Sequence, residues 1–138
     1  MKTKVLTYKN TYSLDELLTL PVYVKSKDGY RMFTAMLDTG AETSAISNRI
    51  KNLLDLEVSD SVEIRGVHGV QLCSVITTDI SCDSNVWLLE RKMVVCNSGH
   101  KYIDVIIGLD IIRAGELNLK KVDNKLELIF TLTLKEKS

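Results

Sequence analysis

The residues best suited to chemistry in this sequence lie where an apolar run meets an acidic side chain. Asp38 follows Ala35–Leu37 and is followed directly by Thr39 and Gly40. A carboxylate buried without partners is strongly unfavourable, so such a group must either be hydrogen-bonded or take part in a reaction. Thr39 offers a hydroxyl partner, and Gly40 allows another backbone to approach closely. The pattern therefore predicts either an anchored turn residue or a reactive carboxylate.

Composition limits the classes of protein to which the chain can belong. Its 138 residues are enough for one domain with a single core, and 45% of them are hydrophobic. The formal net charge is zero, from 18 basic and 18 acidic residues, which argues against nucleic acid or an anionic membrane as the main partner. Residues 1–10 are too polar for a signal peptide. We expect a cytoplasmic protein with no membrane partner.

The cysteines indicate neither a disulfide framework nor a metal site. Cys73, Cys82 and Cys96 are odd in number and lack Cys-x-x-Cys spacing, which favours reduced thiols. Cys82 and Cys96 with His100 are too loosely spaced to predict a zinc site. We therefore expect no metal and no cofactor.

The segments before Asp38 predict the elements that must position it. Residues 1–12 suggest an extended arm or strand. Ser13–Leu18 has the pattern of a capping box, which predicts a short helix or turn that Pro21 should stop. From Val22 the apolar residues recur with a period of two, interrupted by a Lys-Asp-Gly sequence typical of a hairpin turn. The second strand of this hairpin, Tyr30–Leu37, leads directly into Asp38.

Downstream of Asp38 the pattern predicts short strands and two short helices. Two alternating runs flank Gly66–Gly69, which indicates a hairpin with a flexible tip. Further strands are predicted at 44–47, 74–81, 86–95, 105–107, 116–120 and 125–134, and short helices at 48–54 and 110–114. With one proline and closely spaced β runs, the chain should fold as a small, mostly β, barrel-like domain.

Three of these features occur in the order found in one known family. A loop at Asp38–Ala41, a glycine-bounded hairpin at Gly66–Gly69 and an apolar-Gly-helix segment at Val105–Ile112 follow each other along the chain. In this respect the chain resembles the retropepsin-like aspartic proteases over roughly 21–130. The Ile107–Asp110 sequence is closer to that of the cellular members of the Ddi1 type than to that of viral members, so the chain resembles the Ddi1-like or bacterial-type single-domain members. The resemblance implies an all-β, closed-barrel acid protease fold.

The resemblance also assigns site residues, each by its position in the motif. Asp38 would be the catalytic aspartate, Thr39 would form interlocking hydrogen bonds between two loops, and Gly40 would contact the substrate backbone. The substrate-binding positions would be Ala41, Glu42, Gly66, Val67, His68 and Gly69. Viral members usually carry an aspartate where this chain has Glu42. His68 is likewise not a residue that the resemblance predicts at a flap tip.

The count of catalytic triplets determines how such a protein would have to assemble. Aspartic protease chemistry needs two carboxylates that share one proton, and Leu109–Ile111 lacks the hydroxyl and glycine of a second triplet. The resemblance therefore implies an endopeptidase that acts on a peptide or protein substrate as a homodimer. The terminal strands, 1–10 and 125–134, would supply the rest of the interface.

The sequence leaves two alternatives for the activity and predicts where the protease-like domain begins. The intact triplet favours an active endopeptidase, and the alternative is a catalytically inactive module for dimerisation or peptide binding. The resemblance begins near Pro21, so residues 1–20 are expected to be an N-terminal extension and residues 21–138 the protease-like domain.

Overall fold

Ten strands and two short helices make up residues 3–66 and 69–135, the part of the chain that the computed structural model describes. The elements are β1 (Thr3–Ser13), β2 (Thr19–Ser26), β3 (Gly29–Leu37), β4 (Ala45–Ile46), α1 (Asn48–Leu53), β5 (Val58–Gly66), β6 (Gly69–Ser81), β7 (Trp87–Val95), β8 (Val105–Ile107), α2 (Leu109–Ile112), β9 (Gly115–Val122) and β10 (Lys125–Lys135).

Seven of the strands form a sheet that closes on itself. Its order is β2-β3-β8-β4-β7-β6-β5, and a further pairing between β2 and β6 joins strands that are distant in that order. Tyr23 lies opposite Ser81 and Val24 opposite Ile80 at this closure. The β3–β8 and β4–β7 pairs are parallel, whereas the hairpins β2–β3 and β5–β6 are antiparallel. The predicted mostly β, barrel-like fold is confirmed.

The remaining three strands form a second sheet in the order β1-β10-β9. β1 pairs with β10 along its whole length, from Thr3 opposite Lys135 to Ser13 opposite Lys125. Residues 3–13 are therefore a full strand of this sheet. β10 lies between two strands of its own chain, so both of its edges are occupied. The division between residues 1–20 and 21–138 remains a proposal.

Alternating side chains explain why both sheets share one core. In β2, Leu20, Val22 and Val24 are buried, whereas the residues between them are partly exposed. In β10, Leu128, Phe130 and Leu132 are buried in the same way, and they belong to the same hydrophobic cluster. Because side chains alternate across a strand, the period of two places one face of each strand in the interior.

The segment between β1 and β2 takes one of the two forms predicted for it. The capping-box bond is present, because the Ser13 N–H donates to Oε1 of Glu16 at 2.9 Å, but the segment is a turn and not a helix. Residues 14–18 are too few to extend a helix before β2 begins. The expected stop at Pro21 is wrong, since Pro21 lies within β2 opposite Thr34.

The two helices lie close to the predicted positions. Ser47 caps α1, its Oγ accepting the Ile50 N–H at 3.2 Å. α2 ends at Ile112, and Gly115 begins β9 where an added Cβ would come within 1.6 Å of the Thr131 carbonyl oxygen. In the described part of the chain, neither helix has the length and apolar character needed to cross a bilayer.

Candidate active site

Asp38 lies where two parallel strands of the closed sheet end together. Leu37, the last residue of β3, is opposite Ile107, the last residue of β8. The Asp38 N–H continues this ladder by donating to the Ile107 carbonyl at 3.0 Å. The apolar run before Asp38 forms a core strand, with Ala35 and Leu37 buried, so the position of the half-buried Asp38 is set by the barrel itself.

The carboxylate of Asp38 is anchored through one of its oxygens. Oδ1 accepts the Gly40 N–H at 2.9 Å, and the Asp38 carbonyl accepts the Ala41 N–H at 3.2 Å. A Cβ at Gly40 would lie only 3.2 Å from Oδ1. Within residues 3–66 and 69–135, Oδ2 has no hydrogen-bond partner. The turn therefore orients the carboxylate and leaves one oxygen able to bind a water molecule or a second carboxyl group.

Two other predicted site residues present their side chains to solvent. Thr39 is exposed, and its hydroxyl has no partner among the described residues. Glu42 is also exposed, while its backbone carbonyl accepts the Asp110 N–H at 3.2 Å. The backbone of this loop is thus held by its own chain, and the side chains of Thr39 and Glu42 are accessible to another molecule.

A buried hydroxyl and a carboxylate hold the loop from the interior of the protein. Ser44 is fully buried, and its Oγ donates to Oδ1 of Asp110 at 2.6 Å. The Ser44 N–H lies 3.0 Å from each oxygen of the same carboxylate, and the Gly108 N–H donates to Ser44 Oγ at 2.8 Å. From the sequence Ser44 receives no role, and Asp110 is only a residue of a predicted helix and of the family-like Ile107–Asp110 segment. An acidic residue two positions after the glycine that caps a helix is the one available signal.

Gly108 allows the loop to lie directly against the junction of β8 and α2. A Cβ at this position would come within 2.7 Å of the Ala41 carbonyl oxygen and 3.0 Å of the Thr43 carbonyl carbon. The Leu109 N–H donates to the same Ala41 oxygen at 2.8 Å. The apolar-Gly-helix segment therefore packs beside the Asp38 loop.

A second polar cluster ties α1 to the segment before β8. Arg49 pairs with the Asp104 carboxylate, and its Nε donates to Oδ1 of Asp104 at 3.1 Å. Ser47 Oγ donates to the same oxygen at 2.9 Å. These partners, the Arg49 bond first, hold the pKa of Asp104 below its usual value although partial burial opposes the shift. The Arg49 guanidinium also lies 5.6 Å from the centre of the Phe33 ring on β3.

The predicted glycine-bounded hairpin is present as β5–β6. Gly66 lies opposite Gly69 at its end, and Gly69 has a φ of 112°, which favours glycine. Val67 and His68 lie outside the described residues. In the part of the chain that the structure describes, no hydrogen bond joins Gly66 or Gly69 to the Asp38 loop.

The three groups considered for a metal site differ in environment. Cys82 is buried, which raises the pKa of its thiol to about 12. Cys96 and His100 are exposed. Among residues 3–66 and 69–135, no group of three or more His, Cys, Asp or Glu side chains is arranged to hold a metal ion.

The closed sheet, the glycine-bounded hairpin and the Asp-Thr-Gly loop packed on a Gly-helix junction define the fold of the retropepsin-like aspartic proteases. A retropepsin-like aspartic protease from Rickettsia conorii shares this fold with a TM-score of 0.57 and 14% identity, over 97% of this chain and 99% of that one. The EIAV protease complexed with the inhibitor HBY-793 has a TM-score of 0.55 and 24% identity, over 74% of this chain and 90% of that one. No protein-family model and no curated protein matches the sequence. The similarity therefore concerns the fold.

Proposed function

We propose that this chain is an aspartic endopeptidase whose active site is completed by a second copy of itself. The observation that carries the proposal is the Asp38 carboxylate, which the barrel fixes at a strand end and which, among the described residues, is hydrogen-bonded through Oδ1 only. A purely structural turn would need the carboxylate only as an acceptor for the Gly40 N–H. The retropepsin-like fold supports the same conclusion.

The proposed reaction depends on two carboxylates that share one proton. Like charges a few ångströms apart do not both ionise, so one Asp38 carries the proton and its symmetry mate does not. The ionised carboxylate takes a proton from a water molecule, and the protonated one polarises the scissile carbonyl. The resulting hydroxide adds to the carbonyl carbon while the carbonyl oxygen takes the proton of the second carboxyl group. The first carboxyl group then gives its proton to the amide nitrogen, the C–N bond breaks, and the second carboxylate regains a proton from a hydroxyl of the tetrahedral intermediate. The proposed mechanism uses no metal and no cofactor.

The remaining site residues receive their proposed roles from their positions on the loop and the hairpin. The exposed Thr39 hydroxyl is free to bond with the loop of the second chain. Gly40, Ala41 and Glu42 would contact the main chain of an extended substrate. The hairpin tip, Gly66, Val67, His68 and Gly69, would close over that substrate, a gating motion common in enzymes of this kind.

The chemistry is tested by replacing the carboxylate with an amide of the same shape. The substrate is unidentified, so the probes are fluorescein-labelled casein and a pool of peptides from a tryptic digest. We expect Asp38→Asn to lower the cleavage rate by at least about a hundredfold, since the amide cannot accept the proton of the attacking water. Asp55→Asn, which changes an exposed carboxylate outside the site, is the matched control and should cleave at the parent rate. Equal rates for Asp38→Asn and the parent would contradict the proposal.

Two further measurements separate the proposal from its alternative. A pepstatin-type inhibitor should reduce cleavage by the parent chain, whereas EDTA should leave the rate unchanged. A parent chain that dimerises and binds peptides from the pool but cleaves none of them would favour the inactive dimerisation or peptide-binding module.

A further inference from the structure

The three-stranded sheet offers two edges to which another strand could be added. β10 is enclosed by β1 and β9, so the sheet ends at the outer edges of β1 and β9. In the described part of the chain, neither outer edge pairs with another strand. Residues 118–122 of β9 are all exposed. An edge of this kind presents unpaired N–H and C=O groups that can form a ladder with a second chain.

We propose that two copies of this chain pair through β9, antiparallel, about a two-fold axis at Asn118. The inference rests on the proposed function, because a chain with one Asp38 needs a second copy to complete its site. The interface between copies was expected to include residues 125–134, which form β10. Because β10 already has a strand on each edge, β9 takes its place in this proposal.

The sequence of β9 is complementary to itself in this register. A two-fold axis perpendicular to a sheet keeps equivalent side chains on the same face, so the residues that lie opposite each other must be an even number of positions apart. An axis at Asn118 places Leu117 opposite Leu119 of the second copy. It also places Glu116 opposite Lys120 of the second copy, and symmetry forms each pair twice. Cross-strand pairs of opposite charge and of apolar residues stabilise antiparallel sheets.

Neighbouring registers lose this match. An axis at Leu119 puts Leu117 opposite Lys121, and an axis at Leu117 puts Glu116 opposite Asn118. An axis at Lys120 puts that lysine opposite its own copy, which is unfavourable for like charges. β1 provides no equivalent charge pairs, because residues 3–13 contain two lysines and no acidic residue.

The pairs also fit the two faces of the existing sheet. Leu117 and Leu119 lie opposite Phe130 and Leu128 of β10, both fully buried, so they belong to the core face. Leu119 is nevertheless 45% exposed at the free edge. A second β9 would cover Leu119 with an apolar side chain from the same face, and the burial of this apolar surface would favour association.

The opposite face forms an alternating row of charges in the paired state. Lys120 lies opposite Glu127 within the chain. In the proposed register its other neighbour is Glu116 of the second copy, so each Lys120 would lie between two carboxylates. The row is formed twice, once on each side of the axis.

The position of β9 in the chain connects this edge to the candidate active site. β9 begins at Gly115, shortly after α2, and α2 carries the Asp110 carboxylate that holds Ser44 in the Asp38 loop. A pairing that fixes β9 in one copy relative to β9 in the other therefore also constrains how the two Asp38 loops can meet.

Charge exchange tests the Glu116–Lys120 pair. Dimer dissociation constants are measured by sedimentation for Glu116→Lys, Lys120→Glu and the double variant. We expect each single change to raise the dissociation constant about tenfold, because two attractive pairs become two repulsive ones. The double variant should return to within about threefold of the parent value, since opposite charges again face each other. Lys121→Glu is the matched control on the same strand, where the register places Gly115 opposite, and it should not weaken the dimer.

Disulfide formation tests the axis. Directly opposite residues of an antiparallel pair have Cα atoms about 4.5–5.5 Å apart, within the range that a disulfide spans. In a Cys96→Ser background, which removes the exposed native thiol, Asn118→Cys should give a covalent dimer on mild oxidation. Lys121→Cys should not, because its two copies would lie far apart along the paired strands.

The outcomes distinguish this inference from the proposed function. A dimer that Asn118→Cys does not cross-link, and whose dissociation constant the charge changes leave unaltered, overturns the β9 pairing and leaves a two-chain protease standing. A chain that stays monomeric at every concentration, also with a pepstatin-type inhibitor present, overturns both.

Discussion

At the scale of single residues, the Asp38 loop depends on a hydroxyl that takes no part in the proposed reaction. Ser44 Oγ donates to Asp110 and accepts from the Gly108 N–H, so it uses its hydrogen-bonding capacity in both directions within the interior. A buried polar group that loses its partner retains its desolvation penalty. The loop geometry should therefore be sensitive to Ser44 although this residue lies six positions beyond Asp38.

Replacing Ser44 with alanine tests this dependence. Ser44→Ala leaves the Gly108 N–H without its acceptor and removes one donor from Asp110, so we expect the free energy of unfolding to fall by about 1–3 kcal/mol. Urea unfolding measures this change, and the casein assay should show a lower cleavage rate because the loop is less well ordered. Thr43→Ala changes the exposed neighbouring hydroxyl and is the control for stability. Equal unfolding curves for Ser44→Ala and the parent would show that the buried bonds do not hold the loop.

The residues of the site differ in how far the sequence reveals them. Asp38, Thr39 and Gly40 are adjacent, and their chemistry can be inferred from the order of residue types alone. The Ser44–Asp110 bond joins positions 66 residues apart, which the pairing of β8 with β3 and with β4 brings together. A single sequence contains no local signal for such a pairing.

At the scale of elements, local rules succeed where the chain turns tightly. The Asp-Gly pair between two alternating runs predicts the β2–β3 hairpin, and Gly29 there has a φ of 134°, a conformation that glycine adopts readily. The capping box at Ser13 predicts a local bond that forms. The pairing of β1 with β10 and of β2 with β3 leaves too few residues between β1 and β2 for a helix. Pro21 lies within β2, so the alternation of apolar residues around it predicts the strand better than the expectation that proline ends an element.

The connection between α1 and the segment before β8 makes an acid-dependent prediction. The pKa of Asp104 is held below its ordinary value of 3.8 in the folded protein, mainly by Arg49 and also by Ser47. A carboxyl group with a lowered pKa stabilises the fold above its ordinary pKa, and this stabilisation is lost as the pH falls through the lower folded value. We expect Asp104→Asn to lower the free energy of unfolding by about 1.5–3 kcal/mol at pH 7, the range for hydrogen bonds to a charged group.

The comparison with the parent should change with pH. As the pH falls below 3.8 toward the lowered folded pKa of Asp104, the parent loses this stabilisation, so the difference between the two proteins should shrink. Urea unfolding at several pH values measures this trend. Asp123→Asn is the control, since Asp123 is exposed in the β9–β10 turn with a φ of 56°, which asparagine also tolerates. A difference that is the same at pH 7 and pH 3 would contradict the role of the ionised Asp104.

At the scale of the whole molecule, the chain completes its core but carries only half of the proposed chemistry. Both sheets contribute to one hydrophobic cluster, and both edges of β10 pair with strands of its own chain. The closed barrel could be predicted from strand spacing and the family resemblance. The pairing of β1 with β10 could not, because register between distant strands is set by tertiary packing. Because β1 and β9 occupy both edges of β10, the proposed contact between copies is made through β9.

The strongest test at this scale uses the inactive variant as an inhibitor of the parent. If a dimer needs both Asp38 carboxylates, a mixed dimer of parent and Asp38→Asn chains has one carboxylate and cannot cleave. With complete random exchange of subunits, an equal amount of Asp38→Asn should lower the activity of a fixed amount of parent to about one half, and a large excess should abolish it. Native mass spectrometry of mass-labelled chains verifies that mixed dimers form, and an equal amount of an unrelated protein controls for dilution and crowding. If mixed dimers are present and the cleavage rate is still that of the parent alone, a single chain carries the activity and the shared-proton mechanism is wrong.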